Sequence, residues 1–545
     1  MTVFTRSRRI ARGAILVLLL NITLGFAGNL PPIPSEAVSS ITPTTLRKHL
    51  SILASDEVGG RYTFSPGLKV AARYLASHLE SFGYRGAANG SFYQKIQFEV
   101  TSLNTEKSLA ALSSGGQTER LRLGEDFLSF GGTETAFGGD LVFVGYGISS
   151  PKNNHDDYAS VDARGKVVVI VGNLEGGFRG RGERVLPAAL QGKELSAEER
   201  GLRAAKAHGA VGAIYLPSAE TMTGWDRFKR FAGRQQVRLA KEAAQTASDM
   251  PSIIAGPKMA EKLLAGTGKT LAELSEVAHK GEPLNLTLGS MSVNVTIGLN
   301  RSEETAPNVV GILDGTDPKL KDEYVVLSAH FDHVATSADG QIYNGADDDG
   351  SGTVSILEIA RALSLERPKR SIVVAFHTGE ELGLLGSRYF TDFEPLVPLQ
   401  QIVANLNIDM IGRSRRESDT TPANQNLADA NTVYVIGSDK HSSELKTISE
   451  QTNADLLKLK LDYKYDLDDR ENFWRRSDHY NYAKHGIPII FYFTGTHEDY
   501  HRPTDDLEKI DFDKMARIAR TVYATAWRLA NLDHRPVIDK KVDTR

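Results

Sequence analysis

Histidines and carboxylates are the residues of this 545-residue chain whose types and spacing carry chemistry. They fall in separated motifs: Ala329-His330-Phe331-Asp332, Gly345-Ala346-Asp347-Asp348-Asp349-Gly350-Ser351-Gly352, Gly379-Glu380-Glu381-Leu382-Gly383 and Asn407-Ile408-Asp409-Met410. So many carboxylates gathered in a dry pocket would repel one another. A divalent cation resolves that conflict by keeping them ionised and neutralising them. The best late imidazole is His501, within Asp499-Tyr500-His501-Arg502-Pro503-Thr504-Asp505. Mixed imidazole and carboxylate donors suit zinc, and manganese or cobalt can occupy the same kind of site.

His497-Glu498-Asp499-Tyr500-His501 also satisfies the H-E-x-x-H pattern of single-zinc proteases. That chemistry needs both histidines on one face of a helix. Here an apolar strand candidate ends just upstream, Gly495 precedes the pattern and Pro503 follows it, so no helix of sufficient length is expected. Other groups have structural roles as their first expectation. Asp347, Asp349 and Ser351 are expected to shape their loop or cap the helix after it. His333, His377 and His497 are expected to support the core or the pocket.

The elements that must position these groups follow from hydrophobic pattern. Strand candidates are 308–313, 324–329, 372–376, 402–408, 433–436 and 487–493, and helices are expected over 352–363 and 512–529. Three of the acidic motifs sit at the ends of strand candidates, where an α/β sheet presents loop residues to a ligand. The glycine-rich loop runs straight into a helix, which brings its acids to a positively polarised helix start. The alternation of apolar strands with helices predicts a mixed or mostly parallel sheet covered on both faces.

Upstream, Leu68, Ala72, Leu75, Leu79 and Phe82 recur on one helical face, and Gly83 provides a stop. A different texture begins near residue 125. Segments 141–144 and 166–171 read as short strands with bends at Gly145, Gly147, Gly165 and Gly172, followed by a helix over 199–207 and an apolar stretch at 211–216. Gly177, Gly180 and Gly192 mark an irregular connection, and the block is expected to end near Gly289 without a catalytic cluster of its own.

The chain is long enough for two or more domains. Its 64 Lys and Arg nearly balance 68 Asp and Glu, a net charge of -4, which argues against a nucleic-acid partner. Arg6, Arg8, Arg9 and Arg12 precede an apolar run from Ala14 to Phe26, and Gly25 and Ala27 are small enough for cleavage: residues 1–27 are expected to be a signal peptide. Export to the periplasm or the extracellular medium follows, with no transmembrane segment in the mature chain. There is no cysteine, so disulfides, a thiolate zinc site and a cysteine nucleophile are excluded.

The ordered motifs between residues 300 and 530 resemble the co-catalytic zinc aminopeptidase family, peptidase family M28, which also contains glutamate carboxypeptidase-like enzymes and glutaminyl-cyclase relatives. Gly145-Tyr146-Gly147 and Gly165-Lys166-Val167-Val168 resemble a protease-associated domain inserted in many such peptidases. The resemblance implies an α/β fold: a phosphorylase/hydrolase-like mixed-sheet zinc exopeptidase domain with a β-rich protease-associated insertion. Its divisions would be a signal peptide at 1–27, an N-terminal helical segment at 28–124, the insertion at 125–289, the peptidase domain at 290–535 and a tail at 536–545.

The same resemblance implies two zinc ions, with Asp348 shared between them. His330 and Asp409 would complete one site, Glu381 and His501 the other. Glu380 would take the proton of the attacking water, and Asp332 would orient His330. The block Arg476-Ser477-Asp478-His479-Tyr480 is similar to a surface near the family's substrate pocket, which makes Asp478, His479, Tyr480 or Tyr482, with His497, candidates for touching substrate or supporting the site.

The activity so implied is removal of N-terminal residues from peptides. A carboxypeptidase or dipeptidase is the alternative, with Arg413, Arg415 and Arg416 available for a free carboxylate. Glutaminyl cyclisation and a noncatalytic protein-binding scaffold are further ones, and the insertion offers a surface for a propeptide or protein contact.

Overall fold

A computed structural model of the chain describes residues 30–129, 134–150, 155–171, 197–243, 250–279, 284, 286–334, 336, 339–467 and 469–542. The expected signal segment at 1–27 lies outside the described residues, as do Gly172, Gly177, Gly180 and Gly192. Among the described residues no helix is long and apolar enough to cross a membrane.

The first helices start where capping chemistry allows. Thr42 and Thr45 cap each other's backbone ahead of helix Pro43–Leu53, and the Ser65 side chain accepts from the Leu68 amide ahead of helix Pro66–Ser81. The second helix buries Leu68, Ala72, Leu75 and Leu79 on one face, the stripe its periodicity predicts, and the chain turns at Gly83. The helical expectation for 28–124 fails beyond that point. Residues Tyr93–Ser114 form a 22-residue strand, paired antiparallel with the 23-residue strand Met291–Leu313. Alternation explains it: Ile96, Phe98 and Val100 point inward while Lys95, Gln97 and Glu99 between them stay outside.

The sheet that carries the acidic motifs is mixed. Its order is Lys460–Asp462, Thr432–Ile436, Ile489–Phe493, Ile402–Ile408, Tyr324–His330, Ser371–His377 and then Met291–Leu313. Tyr324–His330 runs parallel to both its neighbours, and Ile402–Ile408 runs parallel to Ile489–Phe493. Successive side chains point to opposite faces. Val325, Leu327 and Ala329 pack with Leu357 of helix Gly352–Leu365 and Met515 and Val522 of helix Phe512–Asn531. Val326, Val373 and Ala375 pack on the other side with Phe473, Tyr482 and Phe491.

The middle block has its own parallel strands, Thr135–Phe143, Val167–Val171, Gly212–Leu216 and Ser252–Ala255. Helices such as Ala197–Ala207 and Pro257–Leu264 accompany them, so it is a mixed α/β body rather than one built mainly of strands. Its apolar core reaches past the expected limits of 125 and 289, taking in Ala110, Leu112 and Leu121 on one side and Met291 to Leu299 on the other. The reason is the long two-stranded ribbon, whose far half belongs to the middle core and whose near half joins the larger sheet.

A buried ion cluster joins helix Pro43–Leu53 to helix Gly352–Leu365. His49 Nε2 lies 3.1 Å from Glu358 Oε1, and Arg361 lies 2.9 Å from Glu358 Oε2. Burial alone would raise the Glu358 carboxyl, but hydrogen bonds from His49, Arg361 and Thr45 outweigh it and hold the group at about 2. A carboxyl whose folded pKa is depressed stabilises the fold above its unfolded pKa, and that contribution is lost as pH falls toward the folded value. The protein is therefore expected to lose stability between about pH 4.5 and pH 2. Glu358→Gln should be about 1–3 kcal/mol less stable at pH 7 and lose less across the acid window. Urea unfolding at a series of pH values measures both.

Candidate metal centre

The parallel strands deliver their C-terminal ends to one edge of the sheet. His330 ends the strand Tyr324–His330, Glu380 and Glu381 follow Ser371–His377, Asp409 follows Ile402–Ile408, and His501 lies in the turn beyond Ile489–Phe493. Between them runs the loop Ala346–Ser351, fully buried, in which Asp348 and Asp349 leave helical backbone angles.

Asp348 sits at the middle. Its Oδ1 is 3.3 Å from His330 Nε2, which is also 3.6 Å from Asp409 Oδ1. Its Oδ2 is 3.1 Å from His501 Nε2, and that nitrogen is 2.9 Å from Glu381 Oε2. One carboxylate thus offers an oxygen to each of two adjoining groups of donors. Asp348 Oδ2, Glu381 Oε1, Asp409 Oδ1 and His501 Nε2 are buried atoms without a hydrogen-bond partner. Buried polar atoms are rarely left unsatisfied. Orphaned oxygens and imidazole nitrogens facing one another within about a zinc–ligand polyhedron's edge fit divalent cations.

Protonated imidazoles are the alternative neutralisers. Burial by itself would lower His330, but Glu380, Asp409, Asp332 and Asp348 raise it well above the usual imidazole range. His501, opposed by burial in the same way, is raised to about 10 by Asp348 and Glu381.

The residues expected to shape the loop do so. Asp349 accepts from the amides of Gly352, Met410 and His330, joining the loop to two strand ends. Asp347 accepts from the Gly412 amide and the Ser351 hydroxyl. Asp505 accepts from the amides of Asp347 and Asp348. The Asp332 carboxylate lies 3.7 Å from His330 Nδ1, while the Asp332 carbonyl is nearer at 3.2 Å. The carboxylate's hydrogen bonds come instead from the Thr63 hydroxyl and the Glu380 amide, so Asp332 ties the His330 loop to the Glu380 loop.

Glu380 Oε2 lies 4.0 Å from His330 Nε2, and Glu380, His330 and Asp409 have ligand atoms within 4.8 Å of one another. Burial, with Glu381, Asp409 and Asp478, pushes the Glu380 carboxyl well above the usual range against the pull of His330. It opens on a small cavity of about 20 Å³ lined by Asp348, Asp409, Met410, Phe473, Arg476, Phe491, Phe493, Thr496 and Tyr500. Arg476 stacks over the Phe473 ring and reaches toward the Tyr500 hydroxyl at 3.4 Å. Burial beside Asp348 and Glu381 holds the Tyr500 phenol well above its ordinary value, so its O–H stays a donor.

Several expected pocket residues are not among those that line the cavity. His479 Nε2 donates to the Trp474 carbonyl and its ring stacks on Phe491, and burial lowers it to about 3. Tyr480 lies beside Trp474 and Arg475, and Tyr482 bonds His377. Asp478 is fully buried, and that burial pushes its carboxyl up to about 7. His497 Nε2 faces Asp347 at 3.2 Å while His501 faces Asp348 and Glu381, so the two histidines of the H-E-x-x-H pattern do not share a cation. Residues 498–501 form a turn, and His501 itself has φ 56°.

Arg413, a candidate for binding a substrate carboxylate, is buried against Asp499 at 2.9 Å, and Arg415 bonds the carbonyls of Gln425 and Asp419. Arg416 is exposed.

Tyr500, Arg476 and Arg61 are the contributors that motif reading misses. The first two lie within recognised motifs, beside His501 and Asp478, which is the available signal. Arg61 gives none, yet its guanidinium is wholly buried and donates to the carbonyls of Phe331, Leu53, Asn344 and Gly345. His333, expected as a supporting residue, reaches Glu381 Oε1 at 2.9 Å.

Comparison with known proteins bears on the same region. Residues 308–526 match the profile of peptidase family M28. Aminopeptidase YwaD of Bacillus subtilis is 29% identical over 247 residues, 44% of this chain and 48% of that protein. A probable leucine aminopeptidase 2 of Aspergillus oryzae is 29% identical over 339 residues, 60% of this chain and 55% of that protein. The chain spans about half the length of these curated relatives. The solved aminopeptidase from Aneurinibacillus sp. strain AM-1 aligns with 93% of this chain and 98% of its own at a TM-score of 0.52 and 16% identity, a likeness of fold.

Proposed function

We propose that this protein is an exported, zinc-dependent aminopeptidase that removes N-terminal residues from peptides. The carrying observation is the position of Glu380, a buried carboxylate of raised proton affinity, beside two donor groups that share Asp348. The names of the relatives, an aminopeptidase and a probable leucine aminopeptidase, agree with it. Export rests on the basic and apolar pattern of residues 1–27, and the middle block is read as a protease-associated domain with a surface for a propeptide or protein.

His330, Asp409 and Asp348 would hold one zinc ion, and Asp348, Glu381 and His501 the second. Zinc supplies Lewis acidity, making water more acidic and the peptide carbonyl more electrophilic. Glu380 accepts the proton of the attacking water at its carboxylate and returns one to the leaving nitrogen. Tyr500 and Arg476 line the cavity and carry donors suited to taking negative charge on the carbonyl oxygen. Phe473, Phe491, Phe493 and Met410 give an apolar wall for the terminal side chain, and the surrounding carboxylates favour an α-ammonium.

One observation favours a second reading: Arg476 lines the cavity and could pair with a free carboxylate, giving a carboxypeptidase or dipeptidase. Peptides with free or acetylated amino ends, and free or amidated carboxyl ends, separate the two. Acetylation should lower turnover by at least about 10²-fold, and amidation should leave it within a few-fold. Equal turnover of acetylated peptides would sink the aminopeptidase reading.

A further inference from the structure

His333 is wholly buried, and neither ring nitrogen has a hydrogen-bond partner. Its Nδ1 lies 2.9 Å from Glu381 Oε1 and 3.8 Å from Asp348 Oδ2. His333, Asp348 and Glu381 have ligand atoms within 4.8 Å of one another, and the His501 ring is edge-on to that of His333 at 5.8 Å. The imidazole is held in this place from both sides. Its backbone amide donates to the Arg61 carbonyl. Its ring lies against Gly345, where an added Cβ would come within 2.6 Å of it, and where φ of 57° already favours glycine.

Around a four-coordinate zinc with bonds of about 2.0–2.2 Å, neighbouring ligand atoms stand roughly 3.3 Å apart. The separations at this position are 2.9 Å for His501 Nε2 to Glu381 Oε2, 2.9 Å for His333 Nδ1 to Glu381 Oε1, and 3.1 Å and 3.8 Å for the same two nitrogens to Asp348 Oδ2, so both oxygens of Glu381 face the position. These separations straddle that edge length.

We infer that His333 is a fourth protein ligand of the second cation position, closing it with His501, Glu381 and Asp348. This rests on the two-cation reading above. It makes the two positions unequal. A site with four protein donors resembles a structural zinc site, whereas His330, Asp409 and Asp348 leave a position open beside Glu380. The closed position holds its ion more tightly, and exchange and substrate access belong to the other.

The test uses the whole protein, loaded with zinc and with cobalt, and compares wild type, His333→Ala and His333→Gln. Zinc per chain is measured by elemental analysis during titration with a chelator of known affinity, and cobalt coordination by visible absorption. Wild type should keep one ion after the other is stripped. Both variants should lose that tight ion's advantage by about 10²-fold, with weaker four-coordinate cobalt bands. Far-ultraviolet circular dichroism in EDTA checks that each variant is folded; should the alanine variant not fold, the glutamine variant decides alone.

Wild-type affinity in His333→Gln would overturn the inference, because glutamine supplies a polar group beside Glu381 but no imidazole, and imidazole ligation would then be unnecessary. Two ions held equally by wild type would overturn it as well, with the proposed function intact. A wild type that binds no zinc would remove the proposed function itself, and this inference with it.

Discussion

Glu380→Gln is expected to lower kcat by about 10²–10⁴-fold, with KM and zinc content close to those of the wild type. The amide keeps the shape of the carboxylate but cannot take a proton. Its place is held from the backbone, since the Glu380 amide donates to Asp332 Oδ1. Geometry should therefore survive the substitution while proton transfer does not. The burial and neighbouring carboxylates that raise the Glu380 proton affinity are what a base needs near neutral pH, and nearby cations would draw that value back toward the working range. Glu381→Gln makes the useful contrast. Its carboxylate faces His501 and His333, so that variant should lose zinc rather than the proton acceptor. Steady-state kinetics on an aminoacyl chromogenic amide, alongside elemental analysis, distinguishes the two, and wild-type kcat in Glu380→Gln would reject it as the base.

Much of this site is legible because its chemistry is carried by residues that end strands. His330, Glu380 and Asp409 each follow an apolar run whose burial makes it a strand, and the loop beyond a strand's C-terminal end is where an α/β sheet holds a ligand. Asp347 and Asp349 read as loop-shaping residues for an equally local reason: each has one partner, Ser351 or Gly352, near it in sequence, whereas their bonds to the amides of Gly412, Met410 and His330 are long-range.

Long-range dependence is what stays hidden. Tyr93–Ser114 contains an inward alternation at Ile96, Phe98 and Val100, but its pairing with Met291–Leu313 spans the entire middle block. The limits of that block are hidden for the same reason, because a continuous ribbon carries side chains of two cores. His333 reads as an ordinary core imidazole until Glu381, far along the chain, is beside it.

Arg61 is the extreme case, and Arg61→Met is expected to destabilise the metal-free protein by about 3–5 kcal/mol. Its partners are backbone carbonyls, which no side-chain pattern announces. Phe331 and Asn344-Gly345 belong to the two loops that carry His333 and Asp348, and Leu53 belongs to an N-terminal helix. One guanidinium thus ties three separate stretches of chain. Burial opposes its charge, while Asp348, Asp349, Asp505 and Asp332 favour it, so the cation also offsets repulsion within the acidic cluster. Methionine fills similar volume but leaves the carbonyls of Phe331, Leu53 and Asn344 without their donor, while Gly345 keeps the Gly350 amide, and each orphaned group costs about 1–3 kcal/mol if it stays dry. Relaxation and water entry bring the sum down to the range given. Arg61→Lys should fall between, because an ammonium keeps the charge but cannot spread donors across a planar fork. Zinc affinity should drop in Arg61→Met as well, since both loops lose their anchor. Equal urea midpoints in EDTA for wild type and Arg61→Met would show that the loops keep their places without it, and that packing of Leu50 and Phe331 is sufficient.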